Sequence, residues 1–159
     1  MSKIKLLILL SISLFFLGCS TKTISSSKSL QVGYIGGGAD GLIFKNLLIA
    51  NINASGIYNK DSNYMVEASI NHTTNFYITN TDNTSDREKI STALDLKVLN
   101  SQANCIAYSF KEEVSQFYIV ADSSVFTSND AALEDIKINN TESLIKMFLF
   151  DFDQKDLEC

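Results

Sequence analysis

The chain has 159 residues, of which 45% are hydrophobic and 19% charged, and it contains neither Pro nor Trp. This length corresponds to one domain. With 13 basic and 18 acidic residues, the formal net charge is −5. Binding to nucleic acid needs clustered Lys and Arg, so this acidic balance argues against a nucleic-acid-binding protein. Frequent aromatic and β-branched residues likewise argue against an intrinsically disordered chain.

Residues 1–18 have the pattern of an export signal. Two lysines precede an apolar run from Leu6 to Leu17, which is shorter than the roughly 20 residues of a membrane-spanning helix. The pair Gly18 and Cys19 resembles the bacterial lipobox, where cleavage leaves the cysteine as a new N-terminus that carries lipid such as palmitate. We therefore predict that Cys19 is lipidated and anchors the protein to a membrane. An ordinary signal peptide cut near Gly18, or an uncleaved anchor, is the alternative.

The remaining chain divides into a tether and one domain. Residues 19–29 contain the predicted lipid site followed by Ser, Thr, Lys and a single Ile, which favours a flexible tether. Residues 30–159 form the predicted domain and hold two further cysteines, Cys105 and Cys159. Because exported proteins meet oxidising conditions, a disulfide between them is one expectation, worth roughly 4 kcal/mol for a loop of about 50 residues. Two free thiols, or a bond to another protein, are the alternatives.

The first half of the domain predicts a strand, a glycine-rich turn and a helix. Leu30–Ile35 is a short apolar run typical of a strand, and Gly36–Gly41 interrupts it. Apolar residues then recur at helical spacing over Leu42–Ala54. Asp40 is the predicted N-cap of this helix, and Gly56 is its predicted stop.

Alternating apolar and polar residues predict a series of strands in the middle of the chain. One covers Tyr64–Ile70, and Phe76 with Ile78 marks a second beyond a turn-like segment. The clearest alternation lies between Lys89 and Val98, where the even-numbered residues are predicted to lie on the buried face of the sheet and the odd-numbered ones on the other face. Residues 105–120 return as a further strand, with a bulge predicted near Lys111–Glu113, where two carboxylates interrupt the pattern.

The last predicted element is a helix that begins at Ser128–Asp130 and is divided in two at Asn139 and Asn140. The complete order is β-α-β-β-β-β-α. It predicts an α+β fold with a mostly antiparallel, four- to five-stranded sheet and two helices packed on one face.

Few residues carry a recognisable chemistry. Gly36–Gly41 reads G-x-G-x-x-G, the dinucleotide-binding pattern, yet the alternating strands are unlike those of a parallel sheet, so a flexible strand-to-helix turn is expected. His72 is the only histidine and is predicted to be an exposed loop residue. The acidic pairs Glu112–Glu113 and Asp151/Asp153 are interpreted as solvated faces. We therefore predict a protein that is not an enzyme and that uses neither a cofactor nor a metal.

The element order and the lipobox together resemble LptE, the outer-membrane lipoprotein family that partners a large β-barrel in lipopolysaccharide delivery. The resemblance covers roughly Leu30–Leu149 and depends on three features of the layout. These are the strand and turn of Leu30–Gly41, the helix ending in Ala54-Ser55-Gly56, and the strand pair of Tyr64–Ile70 and Arg87–Val98, followed by a return strand and a terminal helix.

The resemblance implies a function and two contact residues. LptE proteins plug the barrel lumen and contact lipopolysaccharide through basic residues on the sheet edge and the terminal helix, for which the nearest positions are Arg87 and Lys137. The expected protein is thus a non-enzymatic lipoprotein, anchored in the outer membrane and facing the periplasm, with a membrane β-barrel as its partner. An accessory lipoprotein of another envelope machine, either a secretion system or a cell-wall synthase activator, is the alternative.

Overall fold

The computed structural model describes residues 28–78, 85–119, 129–157 and 159. The predicted signal of residues 1–18, Cys19 and the tether as far as residue 27 lie outside the described residues, as does Ser128 of the predicted helix cap. The described elements are β1 (Gln31–Gly36), α1 (Gly38–Ala54), β2 (Tyr64–Ile78), β3 (Ser85–Asn100), β4 (Cys105–Ile119) and α2 (Asn129–Gln154).

The strands form one mixed sheet in the order β1-β2-β3-β4. Strand β1 pairs with β2 in parallel, because α1 carries the chain back to the end of the sheet at which β1 starts. The pairs β2/β3 and β3/β4 are antiparallel. The predicted α+β class and mostly antiparallel sheet are confirmed, and the sheet has four of the predicted four to five strands.

The two strands predicted around Tyr64–Ile70 and Phe76–Ile78 are one continuous strand, so the order is β-α-β-β-β-α. The intervening Asn71–Thr74 was expected to be a turn, but it pairs residue by residue with β3 over Ala93–Ile90. Polar composition suggested a break here, whereas cross-strand hydrogen bonding to the longer β3 keeps the segment extended.

The predicted bulge exists in β4 but lies elsewhere. Lys111–Glu113 pairs without interruption with β3, so the bulge expected there is wrong. The register shifts instead at Ala107, because Tyr108 pairs with Val98 while Ile106 pairs with Leu99. Consecutive carboxylates are tolerated because alternate side chains leave the strand on opposite faces.

Helix α1 starts earlier than predicted. Its N-cap is Gly37, with φ of 114°, and Asp40 lies within the first turn. A Cβ on Gly37 would stand 2.6 Å from the carbonyl oxygen of Ile70, so both the backbone angle and the close approach to β2 require glycine. The Asp40 carboxylate still complements the positive end of the helix dipole.

Helix α2 is continuous across Asn139 and Asn140, where a division had been predicted. The Asn140 side chain is fully buried, and its Nδ2 donates to the carbonyl oxygen of Ile90 at 3.4 Å. The amide is thereby directed to β3 rather than to its own backbone, so it does not break the helix.

One face of the sheet packs against both helices, as predicted. The core combines apolar side chains of α1, β2, β3, β4 and α2: Phe44, Leu48, Ile52, Val66, Ile70, Leu94, Leu96, Val98, Phe110, Leu144, Phe148 and Phe152. Cys105 and Cys159 are joined in a disulfide with a Cα–Cα distance of 5.8 Å, which ties the C-terminus to the start of β4. Among the described helices, none is long and apolar enough to cross a membrane.

Candidate functional site

The face of the sheet opposite the helices is open. The odd-numbered residues of β3 project from it, because strand side chains alternate and the even-numbered Leu94, Leu96 and Val98 are in the core. Its middle is a shallow polar groove of about 390 Å³. The ammonium of Lys111 lies 3.5 Å from the Asp95 carboxylate in this groove. Both side chains are largely solvated, so the pair adds little to stability.

Toward the end of the sheet at which β2 stops and β3 starts, the same face becomes aromatic and basic. Arg87 pairs with Tyr77 on one side and with Ile119 on the other, and Lys89 pairs with Phe117. These five residues, which we call the distal patch, therefore project from one face across three adjacent strands.

Two aromatic rings of the distal patch meet above β3. The ring centroids of Tyr77 and Phe117 are 5.7 Å apart in an edge-to-face arrangement, although the two residues belong to strands on either side of β3. Phe117 and Ile119 keep 62% and 67% of their surface exposed. Adjacent exposed apolar side chains of this kind are typical of interaction sites, in contrast to isolated ones.

The two cations of the distal patch have no ion pair among the described residues, whereas Lys111, Lys137 and Lys146 each have one. Arg87 is exposed and Lys89 is half-buried. Glu88, between them in sequence, points to the opposite face and is buried, so its carboxylate does not neutralise them on the open face. The distal patch thus combines exposed rings with positive charge in an acidic protein.

The structure does not bring Arg87 and Lys137 together. Lys137 belongs to α2, on the helix-covered side of the sheet, and its ammonium lies 3.1 Å from the carboxylate of Glu134. It lines a very small cavity together with Asp40 and His72. The two residues that the resemblance nominated therefore lie on opposite sides of the sheet.

His72 is not the exposed loop residue that was predicted. It lies within β2, is half-buried, and its Nδ1 is 2.8 Å from Oγ1 of Thr92. Burial lowers the pKa of His72, and Asp40 opposes this effect while Lys137 reinforces it. No group of three or more His, Cys, Asp or Glu suited to a metal is found in the part of the chain that the structure describes.

The other residues singled out from the sequence have structural roles. A Cβ on Gly41 would lie 2.6 Å from the carbonyl oxygen of Gly36, so the glycine-rich motif lets α1 pack closely on β1. Asp151 accepts a hydrogen bond from the Tyr108 hydroxyl at 2.6 Å and is not simply a solvated residue. Burial and this contact raise the pKa of Tyr108. Glu112 and Glu113 line the polar groove.

The family resemblance nominated Arg87, whereas the remaining four residues of the distal patch were not predicted from the sequence. The alternation of side chains along β4 could have identified two of them, because Phe117 and Ile119 occupy positions that face away from the core. Assigning residues 117 and 119 to that face requires β4 to pair without interruption through Lys111–Glu113. The bulge predicted there would have shifted both residues to the other face.

The chain matches no protein-family model and no curated protein. Solved structures do match. The rare lipoprotein B from Shewanella oneidensis superposes with a TM-score of 0.60 at 10% identity, covering 77% of this chain and 93% of that one. A candidate lipoprotein from Caulobacter crescentus gives 0.57 at 17% identity, covering 82% and 92%. A minor lipoprotein from Acinetobacter baumannii gives 0.54 at 12% identity, covering 79% and 90%.

These similarities extend over nearly the whole length of each matched protein, so the complete α+β domain is shared and not an isolated motif. At identities of 10% to 17%, they establish the fold and not the site residues. The described part of this chain therefore has the fold of bacterial lipoproteins.

Proposed function

We propose that this protein is a non-enzymatic lipoprotein, anchored to the outer membrane by lipid on Cys19, that faces the periplasm and assists a β-barrel in lipopolysaccharide delivery. Two kinds of observation support the proposal. In the sequence, Gly18 and Cys19 resemble a lipobox, and together with the element layout they resemble the LptE family. In the structure, the fold is shared with three bacterial lipoproteins.

The observation that carries the proposal is the composition of the distal patch. Lipopolysaccharide presents phosphate groups next to acyl chains, so a site for it needs cations beside apolar surface. Arg87 and Lys89 supply the cations, and an Arg guanidinium can hold a phosphate through two parallel hydrogen bonds. The exposed rings of Tyr77 and Phe117 supply the apolar surface next to them.

The geometry favours Arg87 with Lys89, and not Arg87 with Lys137, as the anion contact. Lys137 is already paired with Glu134, and a ligand would have to compete with that carboxylate. Lys89 lies two residues from Arg87 on the same strand and face, so one phosphate-bearing head group can reach both.

Binding of purified lipopolysaccharide to the full chain tests this assignment. The double variant Arg87→Glu/Lys89→Glu should weaken binding at least about tenfold, because two charge-assisted contacts become repulsive. Lys60→Glu/Lys97→Glu is the matched control, since it makes the same change of charge at exposed positions outside the distal patch. Equal losses in both variants would mean that only net charge matters, and no loss in either would remove the distal patch from the site.

Depletion of the protein in cells tests the role in delivery. The outer-membrane barrier should weaken, and an antibiotic that lipopolysaccharide normally excludes should enter. An intact barrier with normal surface lipopolysaccharide in depleted cells would contradict the delivery role while leaving a more general envelope lipoprotein in place.

A further inference from the structure

A small apolar cavity lies at the end of the domain opposite the distal patch. It has a volume of about 200 Å³, and its apolar wall is formed by Ile57, just after α1, and by Leu149, Phe150 and Phe152 near the end of α2. Lys28 and Ser55 complete the rim with Asp153. Phe150 keeps 70% of its surface exposed at this opening.

The size of the cavity suits a side chain more than a separate ligand. Small-molecule sites usually enclose about 300–1,000 Å³, whereas an apolar cavity of about 150 Å³ accepts a group as small as benzene. An apolar site of this kind gains nothing from water, so an aliphatic side chain that can reach it would fill it favourably.

The chain enters the domain at the rim of this cavity. Lys28, the first described residue, donates from its ammonium to the carbonyl oxygens of Phe152 and Asp153, each at 3.2 Å, and to that of Lys155. The last turn of α2 has no basic residue of its own, so Lys28 supplies the positive charge that this helix end favours. The next residues are also fixed, since the Leu30 amide donates to the carbonyl oxygen of Ile57 at 2.8 Å.

The sequence before Lys28 offers one candidate side chain of suitable size and polarity. Residues 19–27 contain a single large aliphatic residue, Ile24, among Ser, Thr and Lys. Ile24 lies four residues before Lys28, and four residues span at most about 14 Å, which is enough to fold back into the cavity from its rim. We propose that Ile24 docks in this cavity and fastens the N-terminal segment to the base of the domain.

Docking of Ile24 would shorten the free part of the N-terminal segment. With Ile24 held, only residues 20–23 separate the domain from Cys19, so its base stays within about 15–18 Å of that cysteine. The segment then sets the position of the domain with respect to whatever Cys19 is attached to, and the distal patch is directed away from that attachment. This inference is independent of the lipopolysaccharide proposal, because it concerns only the chain's own residues.

Maleimide labelling of single introduced cysteines tests the docking in the full chain, inserted in phosphatidylethanolamine vesicles. Ile24→Cys should react at least about tenfold more slowly than Thr23→Cys and Ser26→Cys in the folded protein, and at the same rate in urea. The unsubstituted chain gives the background. Equal rates at all three positions in the folded protein, whether fast or slow, would overturn the proposal.

The labelling experiment replaces Ile24 by a Cys side chain, which fills less of the cavity than Ile. A double-mutant cycle that measures the Tm of the same preparation therefore provides a second test. Ile24→Ser should lower the Tm by several degrees, and Ser26→Ala should leave it unchanged. In the presence of Phe150→Ser, which opens the cavity wall at an exposed position, Ile24→Ser should have little further effect. Additive effects of Ile24→Ser and Phe150→Ser would contradict docking at this cavity.

Discussion

Replacing Leu96 by Ala should destabilise the protein by about 3–4 kcal/mol. Leu96 is fully buried in the middle of β3, between Ala68 on β2 and Phe110 on β4. The substitution removes about three methylene equivalents, worth about 2.4 kcal/mol in transfer free energy, and the cavity left behind adds to this loss. Because a domain of this kind has a total stability of about 5–15 kcal/mol, the loss is large enough to measure directly.

Urea unfolding followed by circular dichroism measures the effect. With a slope of about 1.5 kcal/mol per molar urea, the midpoint should fall by about 2 M while the slope stays unchanged. Lys97→Ala is the matched control, because it lies one residue further along β3 on the open face and should cost less than about 0.5 kcal/mol. Similar losses at Leu96 and Lys97 would refute the assignment of the two faces.

Three further outcomes follow from the same structure. The double variant Cys105→Ser/Cys159→Ser should lower the free energy of unfolding by about 4 kcal/mol, because the disulfide joins residues 54 positions apart. Denaturant titration measures this loss. A loss under about 1 kcal/mol would show that the disulfide restricts the unfolded chain only slightly. Burial lowers the pKa of His72, so the unfolded chain binds a proton at this residue more readily than the folded chain. The free energy of unfolding should therefore have its full value above pH 6.5 and should decrease as the pH falls below 6.5. His72→Gln should remove this dependence between pH 7.5 and 5.5, and its persistence would assign it to other groups. Lys28→Met keeps much of the apolar side chain but removes the positive charge at the end of α2. Hydrogen exchange of the amides in the last turn of α2 should become faster, while exchange in β3 should stay the same. Unchanged exchange in both elements would contradict the capping role of Lys28.

The class of fold could be predicted from the sequence because helices and strands each impose their own spacing on apolar residues. The alternation of Ile90, Leu94 and Leu96 with charged residues identifies a half-buried strand without reference to any partner, and the spacing of apolar residues in α1 and α2 identifies the helices. One buried face on the sheet then requires the helices to lie on that side.

The sequence misled where pairing overrides local preference. The polar stretch around His72 resembles a turn, yet hydrogen bonding to β3 holds it extended. Asn140 is a poor residue for a helix interior, but its amide reaches Ile90 and α2 continues. Both outcomes depend on contacts between residues far apart in the chain, which single-sequence patterns do not contain.

The candidate site was less predictable than the fold for the same reason. Arg87 came from a family resemblance, while Tyr77 and Phe117 became part of the site only because β3 brings β2 and β4 together and their rings meet across it. The placement of Lys137 on the other side of the sheet could not be deduced from spacing, since it depends on how α2 crosses the strands.

The most direct test of the central proposal is to identify the partner of the full-length protein. A photo-reactive residue at Phe117, in the distal patch, should cross-link in living cells to a large outer-membrane β-barrel or to lipopolysaccharide, whereas the same residue at Lys60 should not. Recovery of an inner-membrane synthase or a secretion ring, with no barrel and no lipopolysaccharide, would contradict the proposed role.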